Sequence, residues 1–241
     1  MRYGIFGDIH GNLEAFEVVL RELNRQKVTQ LICVGDIVGY GAEPNGCVEK
    51  IRSLSIPAVA GNHDWISVGK SDINYLNAQA RQAILWTGRN LKSENKRYLD
   101  KLPLVIEKND FQLVHGSLKE PAEWHYILNL KEANDAFSLM KKSLLFIGHS
   151  HRPIIFSKDK EKIAYSFTGR LSIKEGVKYI INVGSVGQPR DGDPRAGYIL
   201  FDDEKKEIVY KRIAYPVEKT QAKIKAAGLP GIEAARLADG R

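Results

Sequence analysis

The sequence predicts an α/β fold built around a parallel sheet. Short apolar runs of strand length alternate with segments in which apolar residues recur at helical spacing. A Gly-Asp or Gly-Asn pair follows each of the first three runs, at Gly7, Gly35 and Gly61. Repeated strand–helix–strand units predict parallel strands with right-handed crossovers. Because sites in such sheets form beyond the carboxyl ends of the strands, these pairs are the first functional candidates.

In the first half of the chain we predict strands over residues 2–6, 31–34 and 57–60. Between them, Asn12 can cap a helix whose apolar side is formed by Leu13, Phe16, Val19, Leu20 and Leu23. A second helix is predicted over residues 44–54, with Pro44 in its first turn. Residues 65–77 are rich in Ser, Asn and Gly, which predicts a loop or lid.

In the second half, helices are predicted over residues 78–90, 94–101 and 131–142. Residues 104–107 and 111–114 are expected to form a hairpin, and residues 144–147 a buried strand. Residues 153–215 contain short runs between polar turns, which favour antiparallel strands. A polar segment over residues 217–237 predicts one or two helices with a Gly-Leu-Pro-Gly break. No linker divides the chain, so we predict a single domain, 1–241, with residues 216–241 as a peripheral helical extension.

The composition is that of a soluble globular protein, with 43% hydrophobic and 27% charged residues among 241. The net charge of +7 suits a phosphate-bearing partner, but the basic residues are spread along the chain, so nucleic-acid binding is not favoured. Cys33 and Cys47 imply no disulfide framework. No secretory start and no apolar run of membrane-spanning length is present, so we expect a cytoplasmic protein without membrane partners.

Five of the six histidines lie in short motifs that also carry Asp, Asn or Gly. The motifs are Asp8-Ile9-His10, Gly35-Asp36, Gly61-Asn62-His63-Asp64, His115-Gly116 and Gly148-His149-Ser150-His151. On an extended strand tip, side chains two residues apart point the same way, so the first and last motifs could each chelate an ion. A set of nitrogen and oxygen ligands without a thiolate suits Mn, Fe, Zn, Co or Ni. We expect two divalent ions, with Mn the leading candidate.

Two ions ~3.5–4 Å apart can clamp the attacking and leaving oxygens of an in-line phosphoryl displacement. A water between them would have a lowered pKa and supply hydroxide near neutral pH. The ordered motifs therefore predict a dinuclear metal-dependent hydrolase of phosphate esters that uses a metal-bridging hydroxide.

The ordered motifs resemble those of the calcineurin-like metallophosphoesterase superfamily over residues 8–151, and the region to about residue 203 fits the same pattern. Residues 181–190 resemble the small prokaryotic phosphodiesterase branch, and residues 7–13 are similar to diadenosine tetraphosphatase and protein phosphatase relatives. The resemblance implies a four-layer αββα sandwich of two mixed sheets flanked by helices. It also implies a dinuclear metal site at the carboxyl ends of the strands.

The resemblance further implies a role for each motif residue. One ion would be held by Asp8, His10, Asp36 and His151, and the other by Asp36, Asn62, His115 and His149. His63 would face the phosphate and stabilise the developing charge or protonate the leaving oxygen. Asp64 would orient the ring of His63.

The expected substrates are small phosphate esters or nucleotides, cleaved as a phosphodiesterase or phosphatase. A dinucleoside polyphosphate hydrolase and a catalytically silent scaffold remain alternatives. A protein phosphatase is less favoured, because residues 35–41 lack the phosphate-clamping arginine of those enzymes. Arg190 is a candidate phosphate ligand, whereas His125 is predicted to be a surface or packing residue. Substrate, native metal, ester preference and oligomeric state are left open.

Overall fold

The computed structural model describes residues 1–167 and 169–241 as two sheets with helices on their outer faces. The first sheet contains strands β1 (Arg2–Phe6), β2 (Gln30–Cys33), β8 (Arg170–Ser172), β10 (Ala196–Asp202) and β11 (Glu207–Ile213) in the order β2-β1-β10-β11-β8. The second contains β3 (Val105–Glu107), β4 (Phe111–Val114), β5 (Leu144–Ile147), β6 (Ile154–Asp159), β7 (Lys162–Ser166) and β9 (Lys178–Asn182) in the order β3-β4-β5-β9-β6-β7.

Helices cover both outer faces of the sandwich. Their bounds are α1 (Leu13–Arg25), α2 (Pro44–Ser53), α3 (Asn62–Ser67), α4 (Ala78–Asn90), α5 (Ser93–Asp100), α6 (Leu130–Leu139), α7 (Val217–Ala226) and α8 (Gly231–Asp239). Phe16 of α1 and Ile51 of α2 pack with β10 residues on one outer face, whereas Phe137 of α6 packs beneath the second sheet. The strands alternate accordingly, since Phe146 faces the inter-sheet core and Leu145 faces α6. The predicted αββα sandwich is confirmed.

Both sheets are mixed. Strand β1 pairs in parallel with β2, and β5 pairs in parallel with β4 and β9. The remaining pairs described within the two sheets are antiparallel. The region over residues 153–215 is therefore antiparallel as predicted except for β9, which inserts between β5 and β6. The parallel pairs direct the ends of β1, β2, β4 and β5 towards one edge, where the motif residues lie.

The strand predicted over residues 57–60 is wrong. These residues form only an isolated bridge from Ala58 to Cys33, because the amide of Ala60 donates to the Pro103 carbonyl and not to a neighbouring strand. The loop predicted over residues 65–77 is confirmed from residue 68 onward, with a short 3₁₀ turn at Ile73–Tyr75, whereas residues 65–67 belong to helix α3. The amide of Gly61 donates to Asp64 Oδ2 at 3.0 Å, which stabilises the first turn of α3.

The C-terminal segment forms the two helices α7 and α8, separated by the predicted break. Although it was expected to be peripheral, it makes buried polar contacts with loops near the motif residues. The hydroxyl of Thr220 donates to Asn12 Oδ1 at 3.0 Å, and Gln188 Nε2 donates to Glu233 Oε2 at 2.9 Å. Among the helices described, none is both long enough and apolar enough to cross a membrane.

Candidate metal centre

The motif residues converge from both sheets at one edge of the sandwich. Asp8 and Asp36 follow β1 and β2, whereas His115 and His149 follow β4 and β5. The Asp8 carboxylate accepts the backbone N–H of His149 at 3.1 Å, which joins the edges of the two sheets. Parallel pairing aligns the ends of β1 and β2 in one sheet and of β4 and β5 in the other, and the packing of the two sheets brings these side chains together.

Seven buried side chains line the centre, and six of them form two potential ligand groups. The groups are Asp8, His10, Asp36 and His151, and Asp36, His115 and His149. In each group one ligand atom per residue lies within 4.8 Å of the others. The Asp36 carboxylate is common to both groups, so it is positioned to bridge two cations. The seventh side chain, Asn62, is also buried and begins helix α3.

Five of these residues have left-handed backbone conformations, with φ between 49° and 69°; they are Asp8, His10, Asp36, His149 and His151. The side chains of Asp8 and His10 do meet, but the predicted extended tip is wrong, because both residues are left-handed. Such a conformation costs a non-glycine residue about 1 kcal/mol or more and persists only when neighbouring contacts impose it. The amides of Asp8 and His10 donate to Gly35 and Asp36 carbonyls at 3.0 Å each.

Backbone carbonyls set the tautomers of three histidines. A carbonyl oxygen only accepts hydrogen bonds, so an imidazole nitrogen facing it carries the proton and leaves the other nitrogen with its lone pair. The Nδ1 atoms lie 3.1, 2.8 and 2.6 Å from their carbonyl oxygens in the pairs His10–Val38, His115–Val34 and His151–Gln188. Each Nε2 atom is therefore the ring nitrogen that faces the centre, and it can bind a metal whenever it carries no proton.

The nitrogen and oxygen atoms of the centre are arranged more favourably for binding a cation than for hydrogen bonding to one another. His10 Nε2 and His151 Nε2 lie 2.9 Å apart, so two lone pairs face each other unless a proton or cation lies near both. Within the described structure, Asn62 Oδ1 is buried without a hydrogen-bond partner. A buried polar group left unpaired costs about 1–3 kcal/mol. Divalent cations held by these nitrogen and oxygen atoms would remove both costs.

Burial and mutual charge shift the pKa values across the centre. Burial disfavours ionisation of Asp36, but His115, His63 and His10 outweigh it and hold the Asp36 pKa well below its usual range. Burial raises the pKa of Asp8 to about 8. Burial would lower the pKa of His115, but the Asp36 carboxylate raises it to about 9. The metal-free centre therefore holds protons near neutral pH.

We expect metal binding to release at least one proton and to strengthen as the pH rises. At pH 7 the metal-free His115 is protonated, since its pKa is about 9. The proton competes with the cation, so apparent affinity should rise about tenfold per pH unit for each proton displaced between pH 6 and 8. Calorimetry of Mn²⁺ binding in buffers of different ionisation enthalpy measures the release. A smaller release is expected for His115→Gln, and binding without proton release would contradict the assignment.

His63 lies beside the two ligand groups but belongs to neither. Its backbone N–H donates to Asp36 Oδ1 at 2.9 Å, and its ring lies 4.5 Å from that of Tyr40. Burial lowers the pKa of His63 to about 4, so the ring is neutral at pH 7. Gly39 (φ 101°) approaches this ring so closely that a Cβ there would lie 2.4 Å from His63 Nδ1.

The expected contact between Asp64 and the His63 ring is absent from the described hydrogen bonds. Asp64 Oδ1 instead accepts the backbone N–H groups of Ile37 and Val38 at 2.9 and 3.2 Å, and Oδ2 accepts that of Gly61. The reason is that α3 begins at residue 62, which turns this carboxylate back towards the backbone of the second motif. Asp64 therefore connects two motif loops rather than orienting the imidazole.

Arg190, the candidate phosphate ligand, follows β9 and lies beside the metal ligands. Its guanidinium carbon lies 5.5 Å from the Tyr40 ring centroid, and its Nη2 donates to Gln188 Oε1 at 2.6 Å. Gln188 in turn donates to the buried Glu233 of α8. The C-terminal extension therefore helps to orient the arginine predicted to meet a substrate phosphate.

The sequence did not single out Tyr126, which stacks on the His149 ring with centroids 3.9 Å apart and planes 17° apart. It lies outside every motif, ten residues beyond Gly116, and no local pattern distinguishes it. Trp65, which follows the third motif, packs edge-on against Trp124. His125 lies 3.3 Å from Glu120 and is partly exposed, which agrees with its predicted surface position.

Comparison with known proteins identifies the family. The family model of the calcineurin-like phosphoesterase superfamily domain matches residues 1–206. The chain belongs to this superfamily. Helices α7 and α8 lie beyond the matched region, so the Gln188–Glu233 contact joins the phosphoesterase domain to a segment outside it.

Two relatives match the chain over nearly its full length. An uncharacterised protein of Methanocaldococcus jannaschii is 40% identical over 241 residues, covering 98% of this chain and 97% of that protein. The crystal structure of a metallophosphoesterase from Sphaerobacter thermophilus is also 40% identical, with a TM-score of 0.89 and coverage of 100% and 99% of the two chains. The chain is therefore a metal-dependent phosphoesterase.

A more distant structure shares the fold. A candidate diadenosine tetraphosphatase is 21% identical, with a TM-score of 0.55 and coverage of 88% of this chain and 93% of that one. The family resemblance predicted from the ordered motifs is confirmed by these matches together.

Proposed function

We propose that this phosphoesterase hydrolyses small phosphate diesters or monoesters, including nucleotide esters, with two divalent ions. The observation that carries the proposal is the shared position of the Asp36 carboxylate between two groups of buried ligands. A single carboxylate that is common to both groups suits two metal ions that share one ligand far better than two independent metal sites. Manganese is the proposed ion, with Fe, Zn, Ni or Co as alternatives for the same donor atoms. A cytoplasmic location is part of this proposal.

The proposed ligands divide between the two ions as the family resemblance implies. Asp8, His10, Asp36 and His151 hold one ion, and Asp36, Asn62, His115 and His149 hold the other. When bound, the ions supply Lewis acidity to the phosphoryl oxygens and a nucleophile at neutral pH. The backbone hydrogen bonds to the three Nδ1 atoms keep the imidazole ligands oriented, so little ordering is required when metal binds.

His63 is the proposed catalytic side chain. Its Nδ1 is buried against Gly39, which leaves Nε2 as the ring nitrogen available to substrate. A neutral imidazole can donate one hydrogen bond, so His63 stabilises charge on a phosphoryl oxygen or delivers a proton to the leaving oxygen. Arg190 is the proposed ligand of a substrate phosphate, because its guanidinium extends over Tyr40 beside the metal ligands.

Hydrolysis of bis-p-nitrophenyl phosphate by metal-stripped protein, with and without Mn²⁺, tests the proposal. We expect turnover only with metal. Diadenosine tetraphosphate should be assayed in parallel with product analysis by chromatography, because the fold is shared with a candidate diadenosine tetraphosphatase. Cleavage of diadenosine tetraphosphate without cleavage of the diester would identify dinucleoside polyphosphates as the substrate class. Failure to hydrolyse any phosphate ester with Mn, Fe, Zn, Co or Ni would overturn it.

We expect Asn62→Ala to weaken one ion while the other is retained. The Asn62 Oδ1 atom is buried without a described protein partner, and on our assignment it contacts only the second ion. Loss of this ligand should reduce affinity at that site by about tenfold or more. Metal content after dialysis, measured by mass spectrometry, should fall from two ions towards one. The exposed Asn74 provides the control Asn74→Ala, and loss of both ions in Asn62→Ala would contradict the assignment.

A further inference from the structure

Tyr126 presents an unused aromatic face beside the metal centre. One face of its phenol ring is stacked on His149, with centroids 3.9 Å apart and planes 17° apart. The side chain is nevertheless 46% exposed. A phenol that covers a ligand on one side and faces solvent on the other is a ready surface for a second flat group.

The segment that carries Tyr126 is held firmly on both sides. Trp124 is buried and packs edge-on against both Trp65 and His115, and Ile127 is 3% exposed. Gly116 lies so close beneath this segment that a Cβ there would be 2.8 Å from the His125 carbonyl oxygen. The exposed ring is thus presented by buried neighbours, so little conformational entropy is lost when a ligand stacks on it.

The backbone at His149 is held in place without the Tyr126 ring. The residue follows strand β5, and its backbone N–H donates to the Asp8 carboxylate at 3.1 Å. The inner face of Tyr126 covers the His149 imidazole, and no second aromatic side chain is stacked on Tyr126 among the residues that the structure describes. The outer face of the ring is therefore not used by a neighbouring aromatic group.

We propose that the outer face of Tyr126 stacks a planar aromatic substituent of the substrate, of which a nucleobase is the natural example. The inference rests on the proposed function, because it concerns the substituent that is linked to the phosphate at the metal centre. A group stacked on the outer face of Tyr126 is separated from the His149 ring only by the Tyr126 ring. A phosphate that is covalently attached to this group can therefore reach the metal-ligand side chains. The substrate class is thereby narrowed from phosphate esters in general to esters that carry an aromatic ring.

Two substrates with the same leaving group isolate this contact. Methyl p-nitrophenyl phosphate and thymidine 5′-(p-nitrophenyl phosphate) release the same chromophore, so their ratio of kcat/KM reports only the retained substituent. Stacking of a base on an aromatic side chain is worth about tenfold in binding. We expect Tyr126→Leu to lower the kcat/KM of the thymidine ester, relative to that of the methyl ester, about tenfold. Tyr126→Phe should leave this ratio unchanged. The exposed Tyr75 provides the control Tyr75→Leu.

Binding gives a second measurement that does not depend on turnover. Calorimetry on the Mn²⁺-loaded protein compares thymidine 5′-monophosphate with methyl phosphate, and we expect Tyr126→Leu to weaken only the nucleotide. Methyl phosphate carries no ring, so an unchanged binding preference in Tyr126→Leu would overturn the inference. An equal loss of affinity for both ligands would also overturn it, because Tyr126 would then act only through His149. If the wild type hydrolyses neither diester, diesterase activity is excluded from the proposed function, and the binding comparison still decides the role of Tyr126.

Discussion

Asp36→Asn is expected to reduce phosphoesterase activity by about 10³-fold or more, because the substitution removes the one charged ligand shared by both ions. Asp36 Oδ2 lies 3.2 Å from His115 Nε2 and 3.5 Å from His10 Nε2, closer to both atoms than Asp8 Oδ1, which lies 4.0 and 3.8 Å away. An amide offers one oxygen without a full negative charge. Both ions should therefore bind more weakly in this single variant.

The fold should survive the substitution. Asp36 Oδ1 accepts the backbone N–H of His63 at 2.9 Å, and an asparagine oxygen can accept the same hydrogen bond. We expect the Tm of the metal-free variant to lie within a few degrees of wild type, so activity is lost without unfolding. The exposed Asp135 supplies the control Asp135→Asn, which should retain both ions. Retention of two tightly bound ions and full turnover in Asp36→Asn would exclude the bridging role.

His63→Ala is expected to lower kcat by about 10²–10⁴-fold with the metal content unchanged. His63 belongs to neither ligand group, so its loss should not release an ion. Metal content therefore separates this variant from Asp36→Asn, although both are nearly inactive. The exposed His125, paired with Glu120, supplies the control His125→Ala, for which we expect wild-type kinetics.

A series of leaving groups distinguishes the two proposed actions of His63. If the imidazole protonates the leaving oxygen, the loss in His63→Ala should grow as the leaving group becomes more basic, from p-nitrophenol towards alkyl alcohols. If it only stabilises phosphoryl charge, the loss should be similar along the series. Loss of an ion from His63→Ala would make His63 a ligand, and wild-type turnover would remove it from the mechanism.

The positions of the motif residues were predictable because the ends of buried strands are largely local properties. Strands over residues 2–6, 111–114 and 144–147 have the predicted bounds, since continuous apolar runs of that length suit buried strands. The motif order then grouped Asp8, His115 and His149, although Asp8 follows a strand of one sheet and the two histidines follow strands of the other.

The role of Asp64 was not predictable from its motif. Its neighbour in sequence is His63, but its hydrogen-bond partners are backbone groups 26 and 27 residues away along the chain, in addition to Gly61. The left-handed turns at Asp8 and His10 likewise depend on carbonyls of the neighbouring strand end. Such conformations are imposed by tertiary contacts and not by the local propensity of the residues. The two-residue spacing of Asp8 and His10 therefore identified the right residues but predicted the wrong backbone conformation.

By itself, the sequence determined the fold class, the family and the side chains that meet at the edge of the sheets. These depend on the spacing of apolar residues and on the order of the motifs, both of which are properties of the sequence alone. Only the tertiary structure decided that Tyr126 stacks on His149, that Glu233 supports Arg190 through Gln188, and that residues 57–60 form a single bridge. Each of these depends on packing between segments distant in sequence, and the free energy of such contacts has no counterpart in any local pattern.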